Sequence, residues 1–420
     1  MWGDLLGAGN YLNRTYSYTY DDNGNILSVR DDDGDVTTYT YDAQNQLTRE
    51  NNQAGNFTHT WEYDTAGNIL SRSEYDYTTG ELGTATNTVT YGYDDSNWGD
   101  LLTSYDGDAI TYDAIGNPTY SLVDGCYDVY YTWNHGRQLA SWEFGDTYMQ
   151  FTYNADGMRT RATCNSDVYE YVYNGSQLVQ MKANSWVGNA VMAFTYDAGG
   201  VPQTITYNGT TYYYVTNLQG DVMAILDGTG AAVAQYTYDA WGKVLSTTGY
   251  LSDTVGWLNP LRYRGYVYDV NSGLYYLQSR YYDADVGRFI NADGYVSTGQ
   301  GFLSNNMFAY CLNNPTNFVD SHGENSAALQ AWSGGMWWLC GADGLYPVGE
   351  IIYIAGIIIL YVCTEITSDD IAKSQPFMDE GEETTEPVEP EPPDVTYPGD
   401  DPTIAPDGYE WRGPDEPGGK

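Results

Sequence analysis

The sequence is poor in basic residues: 16 Lys and Arg stand against 57 Asp and Glu, which gives a formal net charge of −41 at pH 7. No cluster of basic residues occurs along the 420 positions. Binding to the phosphates of nucleic acids calls for such clusters, so the composition argues against nucleic acid as a partner of this chain. The acidic residues are expected at turn positions and in an extended tail, where they keep the chain soluble.

Cysteine and histidine are also scarce. The three histidines are far apart, and the five cysteines form neither a CxxC pair nor a metal-ligand spacing. An odd, scattered number of cysteines argues against a disulfide framework. The run DDDGD at residues 31–35 lacks the distal Glu and the flanking helices of a calcium loop. We therefore expect buried free thiols, no metal and no cofactor. The cysteines are Cys126, Cys164, Cys311, Cys340 and Cys363.

Long hydrophobic runs are missing. The strongest apolar run, from Ile351 to Cys363, is shorter than the ~20 residues that a membrane-spanning helix needs, and Glu350 interrupts it on the N-terminal side. Extension back through Leu345 to Val348 gives a marginal membrane candidate. Two readings stay open for this segment: a buried helix, or contact with a membrane through Ile351 to Cys363.

Against these absences stand 44 Tyr, 47 Gly and 12 Trp, residues that suit half-buried strands and turns. An aromatic residue followed by Asp or Asn recurs with a period of roughly 20–22 residues, which is typical of an array of supersecondary units. The pairs are Tyr20-Asp21, Tyr41-Asp42, Tyr63-Asp64, Tyr93-Asp94, Tyr112-Asp113, Trp133-Asn134, Tyr153-Asn154, Tyr173-Asn174, Tyr196-Asp197 and Tyr238-Asp239.

Each unit is predicted to be a β-hairpin. In TYSYTYDDNGNILSV, Tyr16, Tyr18 and Tyr20 alternate with small polar residues, which places the tyrosines on one face of a strand. In the turn that follows, Gly24 can adopt positive φ and Asp21 can accept hydrogen bonds from backbone amides. Two strands and two turns within roughly 20 residues leave no room for helices. The sequence therefore predicts an all-β array of antiparallel hairpins, paired edge to edge in one sheet.

From about residue 250 the pattern changes. The segment LRYRGYVYDVNSGLYYLQSRYYDADVGRFINAD concentrates Arg262, Arg264, Arg280 and Arg288, which are expected to staple the end of the sheet through paired hydrogen bonds. Together with FAYCLNNPTNFVDSHG, which ends at Gly323, this segment resembles the core signature of the Rhs (rearrangement hotspot) family of YD-repeat proteins. The resemblance implies that the sheet forms part of a spiral shell around a variable C-terminal effector.

The same resemblance implies a site of self-cleavage. In the Rhs family the core ends in two acidic motifs, one after an RFxxxD run and one of DPxG type, whose aspartates cut the chain just after the second motif. The corresponding residues here are Arg288 to Asp293 and Asp320 to Gly323. Asp293 and Asp320 are thus the implied catalytic pair. Two close carboxylates cannot both ionise cheaply, so one keeps a proton and acts as the acid while the other activates water. We further expect Arg288 to lower the pKa of one of them and so to separate the two roles.

This sequence departs from the family pattern at three positions. Ser321 stands in place of the proline of DPxG, Glu324 in place of the usual hydrophobic residue, and Gly294 in place of a proline. Cleavage near Gly323 and Glu324 therefore competes with a simpler interpretation, in which Asp293 and Asp320 are turn residues of an uncleaved cap.

The domain boundaries follow from these patterns. Residues 1–254 are predicted to be the YD-repeat shell and residues 255–323 the core with the self-cleavage motifs. Residues 324–374 form a hydrophobic junction with room for one helix. Residues 375–407 are acidic and proline-rich, which is typical of a disordered linker. Residues 408–420 resemble the start of a truncated effector domain.

The resemblance thus implies the shell or carrier portion of a secreted polymorphic toxin that encapsulates and delivers a C-terminal effector. Its only expected chemistry is a single-turnover, aspartate-dependent self-cleavage near Gly323. The implied partners are the effector, which is missing here, an immunity protein and the surface of a target cell. The expected location is outside the cell or at its surface, although no signal peptide opens the chain.

Two alternatives stay open. The chain could be a non-enzymatic surface protein whose aromatic sheet binds carbohydrate or neighbouring cells. It could also be the degraded remnant of a toxin carrier, since the array looks short for a complete shell.

Overall fold

The computed structural model describes residues 15–294, 302–324, 327–328, 349–354 and 357–361, the last three ranges by their backbone alone. Their regular structure is almost entirely β, as predicted. The repeat strands are β1 (Thr15–Tyr20), β2 (Ile26–Arg30), β3 (Val36–Tyr41), β4 (Leu47–Asn52), β5 (Phe57–Tyr63), β6 (Ile69–Asp76), β7 (Asn87–Gly92), β8 (Ser104–Tyr105), β9 (Asp108–Tyr112), β10 (Pro118–Val123), β11 (Tyr127–Asn134), β12 (Gln138–Phe144), β13 (Thr147–Tyr153), β14 (Arg159–Cys164), β15 (Asp167–Asn174), β16 (Gln177–Ser185), β17 (Gly188–Tyr196), β18 (Pro202–Tyr207), β19 (Thr210–Thr216), β20 (Val222–Leu226), β21 (Ala232–Tyr238) and β22 (Val244–Thr248).

These strands form a meander, because each one from β1 to β21 pairs antiparallel with the next along the chain. The hairpin array and its edge-to-edge pairing are therefore confirmed. Side chains alternate between the two faces of the sheet. Tyr16 and Tyr18 are buried on β1, whereas Thr19 between them and the turn is exposed.

The aspartate of a Tyr-Asp pair holds the turn that follows it, except after Tyr93, where Asp95 rather than Asp94 accepts the turn amides. The Oδ1 atom of Asp64 accepts hydrogen bonds from the backbone amides of Ala66 and Asn68, both at 2.8 Å, and its Oδ2 atom accepts one from the Asn68 side chain at 2.9 Å. Gly67 takes positive φ in the same turn. A short carboxylate that accepts two nearby amides satisfies groups that the strands leave unpaired at the turn. This role for the aspartates was predicted.

The aromatic residue of the pair ties its repeat to the preceding one. Its hydroxyl donates to a backbone carbonyl at the start of the previous return strand, where the register shifts by a residue. The repeat thus carries hydrogen bonds from the aspartate within its turn and one from the aromatic residue to its neighbour, which explains the recurrence of both residue types. The donor–acceptor pairs are Tyr41 to Ile26, Tyr63 to Leu47, Tyr93 to Ile69, Tyr153 to Leu139, Tyr196 to Leu178 and Tyr238 to Val222.

After β22 the backbone becomes irregular. Its elements are a π-helical turn (Ser252–Gly256), 3-10 turns (Tyr263–Gly265, Phe302–Asn305 and Cys311–Asn313), the small sheet β23 (Val267–Tyr268), β24 (Leu274–Tyr276), β25 (Tyr281–Asp283) and β26 (Arg288–Phe289), and the pair β27 (Phe318–Val319) and β28 (Ala327–Ala328). We call the described part of residues 252–324 the core segment. Most of its residues are buried although it contains little regular structure.

The core segment packs against the inner face of the array. Tyr275, Tyr282 and Tyr310 are fully buried in one cluster with Trp61 and Trp241 of the array. A second cluster joins the side chains of β24 and β25 to those of β11–β21. The turns of early, middle and late repeats all reach the core segment, so the array curves around it.

Buried arginines fasten the two parts together, as the sequence predicts. The Nη1 atom of Arg159 on β14 lies 3.2 Å from Oδ2 of Asp269 in the core segment, and both side chains are almost fully buried. The Nη1 atom of Arg264 in the core segment lies 3.0 Å from Oδ1 of Asp221 in the array. Arg262, in contrast, donates within the core segment, to the carbonyl of Gly256 at 3.2 Å.

The apolar segment near the end of the described chain differs from its prediction. Residues Gly349–Ile354 (β29) and Ile357–Tyr361 (β30) form a β-hairpin, and β29 pairs antiparallel with β1, Thr15 lying opposite Ile352. The helix expected in this segment is wrong for these residues. A run of isoleucines favours a strand, and the free edge of β1 offers it backbone partners.

Among the described residues, no helix has the length and apolar character needed to span a bilayer. The linker predicted at residues 375–407 and the effector start predicted at residues 408–420 lie outside the described residues.

The cysteines follow the prediction in part. Cys164 and Cys311 are buried free thiols, but Cys126 is exposed because it lies in the turn between β10 and β11. Cys340 and Cys363 lie outside the described residues.

A buried carboxyl group lies where the first and last repeats meet. Glu50 on β4 accepts a hydrogen bond from the backbone amide of Ala240, after β21, at 3.1 Å. Its other oxygen accepts one from the side chain of Asn52, also at 3.1 Å. Burial, and then the neighbouring Asp239 carboxylate, raises the pKa of Glu50 from 4.5 to about 8. The junction between these repeats is thus sensitive to pH.

We predict that Arg159→Ala lowers the free energy of unfolding by about 3–5 kcal/mol, because it leaves the buried Asp269 carboxylate without its cation. Arg161→Ala is the matched control, since Arg161 lies on the same strand and is exposed. Its effect should stay within about 0.5 kcal/mol. Urea unfolding of both variants measures the difference, and equal effects would contradict the role of Arg159.

The second prediction concerns pH. A carboxyl pKa raised by folding stabilises the protein fully below pH 4.5, and this contribution is lost as the pH rises through about 8. The free energy of unfolding of Glu50→Gln should therefore fall less steeply between pH 6 and pH 9 than that of the wild type. Glu62→Gln, at an exposed position of β5, should keep the wild-type slope. Parallel slopes for all three proteins would show that Glu50 is not buried as described.

Candidate active site

One arginine brings the two predicted aspartates together. The Nη2 atom of Arg280 lies 3.0 Å from Oδ2 of Asp293 and 3.3 Å from Oδ2 of Asp320. The side chains of all three residues are less than a tenth exposed, at 5%, 8% and 2% for Arg280, Asp293 and Asp320. Two carboxylates from distant parts of the core segment therefore share one buried nitrogen.

Asp320 is fixed from both sides. Its backbone amide donates to the hydroxyl of Tyr266 at 2.9 Å. Its Oδ1 atom accepts a hydrogen bond from the backbone amide of Glu324 at 3.0 Å. The carboxylate thus lies beside the nitrogen of the Gly323–Glu324 peptide, the bond at which the sequence predicts cleavage.

The carbonyl of the same peptide is also bound. The oxygen of Gly323 accepts a hydrogen bond from the hydroxyl of Ser279 at 2.7 Å and another from Nε of Arg280. Gly323 has a φ of 72°, and a Cβ at this position would lie 2.8 Å from Ser279 Oγ and 2.9 Å from the carbonyl oxygen of Leu277. Only glycine brings the carbonyl this close to its two donors.

Asp293 is held through its own backbone and that of its neighbour. Its amide donates to the carbonyl of Met307 at 2.9 Å, and the amide of Ala292 donates to the carbonyl of Gly116 at 3.0 Å. Gly116 lies in the turn between β9 and β10, so the array takes part in placing Asp293.

The charge balance of the site favours an ionised arginine. Burial lowers the pKa of Arg280, while the carboxylates of Asp293 and Asp320 oppose that effect by favouring the charged guanidinium. Charges act more strongly on one another in buried surroundings than in water. A peptide carbonyl with two donors, a carboxylate at its nitrogen and a second carboxylate nearby together supply the groups needed for aspartate-type peptide hydrolysis.

Arg288, the third residue of the predicted site, lies elsewhere. Its Nη1 atom donates to Oδ1 of Asn68 at 3.2 Å and to the hydroxyl of Tyr93, and its Nη2 atom donates to the carbonyl of Asp100 at 2.8 Å. These partners belong to the array, so Arg288 is a staple. The arginine that contacts the aspartate pair is Arg280, and the role expected for Arg288 is corrected accordingly.

Sequence reasoning placed Arg280 among the staples and did not single out Ser279 or Tyr266. The hydroxyl that binds the peptide comes from Ser279. These three contacts depend on the return of the chain at Gly323 to the turn before β25, which has no periodic signal. Among the described residues, no group of three or more His, Cys, Asp or Glu side chains is placed to hold a metal ion.

Comparison with known proteins gives two family matches. The teneurin YD-shell model matches residues 185–315, and the RHS repeat model matches residues 20–56. The first range covers the late repeats and most of the core segment, and the second covers the first repeats.

Curated relatives match over most of the chain. A tRNA nuclease WapA of Bacillus subtilis is 33% identical over 359 residues, which is 74% of this chain and 15% of the relative. A double-stranded DNA deaminase toxin A of Burkholderia cenocepacia is 27% identical over 351 residues, 76% of this chain and 23% of the relative. The chain thus spans less than a quarter of the length of either relative.

Solved structures share the fold. The crystal structure of TcdB2-TccC3-TEV aligns with a TM-score of 0.55 and 19% identity over 73% of this chain and 17% of that one. On the strength of the repeat matches, the relatives and the shared fold, the chain belongs to the Rhs (YD-repeat) family.

Proposed function

We propose that this chain is the shell portion of a polymorphic toxin carrier and that it cuts its own backbone between Gly323 and Glu324. The observation that carries the proposal is the arrangement around this peptide. Asp320 contacts its nitrogen, Ser279 and Arg280 contact its carbonyl oxygen, and Asp293 shares Arg280 with Asp320.

The reaction begins with one proton on the aspartate pair. Asp293, as the ionised member, takes a proton from water, and the resulting hydroxide adds to the carbonyl carbon of Gly323. Negative charge builds up on the carbonyl oxygen, where Arg280 and Ser279 stabilise it. Asp320, as the protonated member, gives its proton to the nitrogen of Glu324 while the C–N bond breaks. The products are a carboxyl group on Gly323 and a free amine on Glu324.

A single turnover needs only modest catalysis. The peptide and the catalytic groups belong to one chain and are held in contact, so no substrate has to be bound from solution. If Asp293 and Asp320 were only turn residues, neither the two hydrogen bonds to the Gly323 carbonyl nor the arginine shared by the two aspartates would be needed.

The carrier role rests on the comparisons. Two relatives whose names state different activities, a tRNA nuclease and a DNA deaminase, each match about three-quarters of this chain. A region common to proteins with different activities is more suited to carrying an effector than to being one. The proposal includes export of the carrier from the cell, and its proposed partners are the effector, an immunity protein and the surface of a target cell.

The competing proposal is surface adhesion. It draws on the outward face of β11–β13, where Tyr130 and Tyr148 are exposed and Glu143 lies in register between them. Aromatic rings beside a carboxylate suit the faces and hydroxyls of sugars. An adhesin of this kind does not require cleavage between Gly323 and Glu324.

We predict that the purified wild-type chain separates into a fragment ending at Gly323 and a fragment starting at Glu324. Asp293→Asn and Asp320→Asn should each slow cleavage about 10²–10⁴-fold, as expected for the loss of a general acid or base. Asp285→Asn, at an exposed position of the same segment, should cleave like the wild type. Mass spectrometry of the intact proteins identifies the ends, and an uncut wild-type chain that binds carbohydrate would favour adhesion instead.

A further prediction separates the two arginines. Arg280→Lys keeps a positive charge but loses the fork that joins the Gly323 carbonyl to both carboxylates, so cleavage should slow by about 10²–10³-fold. Arg288→Lys should leave the cleavage rate roughly unchanged, because Arg288 binds the array. Gel analysis after a timed chase measures the rates, and near-UV circular dichroism checks that both variants are folded. A larger loss in Arg288→Lys would reverse the assignment.

A further inference from the structure

The repeat array itself contributes a charged group to the candidate active site. Arg137 lies in the turn between β11 and β12, far in sequence from the core segment. Its Nη1 atom donates to the carbonyl of Ala292, the residue before Asp293, at 2.5 Å. The amide of the same Ala292 is bound to Gly116 in the preceding repeat turn. Two turns of the array therefore hold the peptide that leads into Asp293.

Gly116 packs closely against Ala292 in the turn between β9 and β10. Gly116 has a φ of 82°, and a Cβ there would lie 2.8 Å from Cβ of Ala292 and 2.7 Å from the ring of Trp98. The close contact fixes the backbone from one side, while the Arg137 hydrogen bond fixes it from the other. Asp293 is consequently positioned by the array as much as by its own segment.

Arg137 also acts through its charge. Burial lowers the pKa of Arg137, and Asp293 is the main carboxylate opposing that effect, followed by Asp113. Arg280 and Arg137 repel each other, which is one of the influences that lower the pKa of Arg280. The Asp293 carboxylate thus interacts electrostatically with two guanidinium groups, one from the core segment and one from the array.

A cavity of about 330 Å³ connects the same turn to the scissile peptide. Arg137 and His135 of the array line it together with Ser279, His322 and Glu324 of the core segment, and Asp156 from the turn between β13 and β14 completes its charged lining. By volume it has room for about ten waters. The array therefore builds part of the wall of the cavity that adjoins Glu324, the residue after the proposed cleavage point.

Resting on the proposed self-cleavage, we propose that Arg137 is a positioning residue for that reaction: it fixes the Ala292–Asp293 peptide and favours the ionised form of the Asp293 carboxylate. The active site is then complete only after the turn between β11 and β12 has docked on the core segment. Self-cleavage becomes dependent on assembly of the shell, so an unwrapped chain stays uncut.

The test compares cleavage by the wild type, Arg137→Gln, Arg137→Lys and the control Arg161→Gln, which removes an exposed arginine of the same array. The full chains are kept in urea from isolation and then diluted into buffers between pH 4 and pH 9. Mass spectrometry follows the fragment that ends at Gly323. Circular dichroism of each sample verifies that the array has folded.

Loss of the Arg137 charge should raise the pKa of Asp293, so the acid limb of the pH–rate profile should move to higher pH by about one unit. On the acid limb itself, where the rate follows the ionised fraction of Asp293, cleavage by Arg137→Gln should be about ten-fold slower than that of the wild type at the same pH. Arg137→Lys should restore the position of the acid limb, and Arg161→Gln should match the wild type.

An Arg137→Gln chain with the wild-type rate and acid limb would overturn this inference. A slower rate with an unmoved limb would overturn it too, because Arg137 would then act only through folding. In both cases a cleaving wild type leaves the proposed function standing. A wild-type chain that folds and stays uncut would instead refute the proposed function itself.

Discussion

An irregular backbone buried inside a sheet must find hydrogen-bond partners for its carbonyl groups, and guanidinium groups supply many of them here. Arg262, Arg264, Arg280 and Arg288 are all buried, and each donates to at least one backbone carbonyl. Arginine suits this task because its donors are spread over a rigid plane and it stays charged when buried. The core segment can therefore do without regular strands, and Arg280 is free to hold a peptide bond between two carboxylates.

The regular part of the fold was predictable because its constraints are local and repeated. The tyrosine hydroxyl binds the preceding repeat, and the aspartate accepts hydrogen bonds from two amides of its own turn, as at Tyr63 and Asp64. The same pair of residue types therefore recurs in the sequence every two strands. The hairpin at β29 and β30 was missed because a short apolar run lacks a period that separates helix from strand. Its pairing with the edge of β1 is a long-range event that local preference does not encode.

The candidate site was predictable only in part. The resemblance selected Asp293 and Asp320, and the structure brings both to one nitrogen. The resemblance did not select Arg280 over Arg288, because both arginines lie in the same arginine-rich run. Only the three-dimensional course of the backbone distinguishes them. Leu312 and its two neighbours illustrate the difficulty: three successive residues adopt positive φ, a conformation that L-residues avoid and that surrounding contacts must impose.

Native-state hydrogen exchange of the wild-type chain tests most directly whether the core segment and the array form one cooperative unit. The amides of Phe289, Ile290 and Asp293 donate within the core segment, and those of β16 and β17 lie in the middle of the array. The account predicts that both sets exchange with the same free energy of opening and the same dependence on denaturant. Core amides that open at a clearly lower free energy than the array would contradict it.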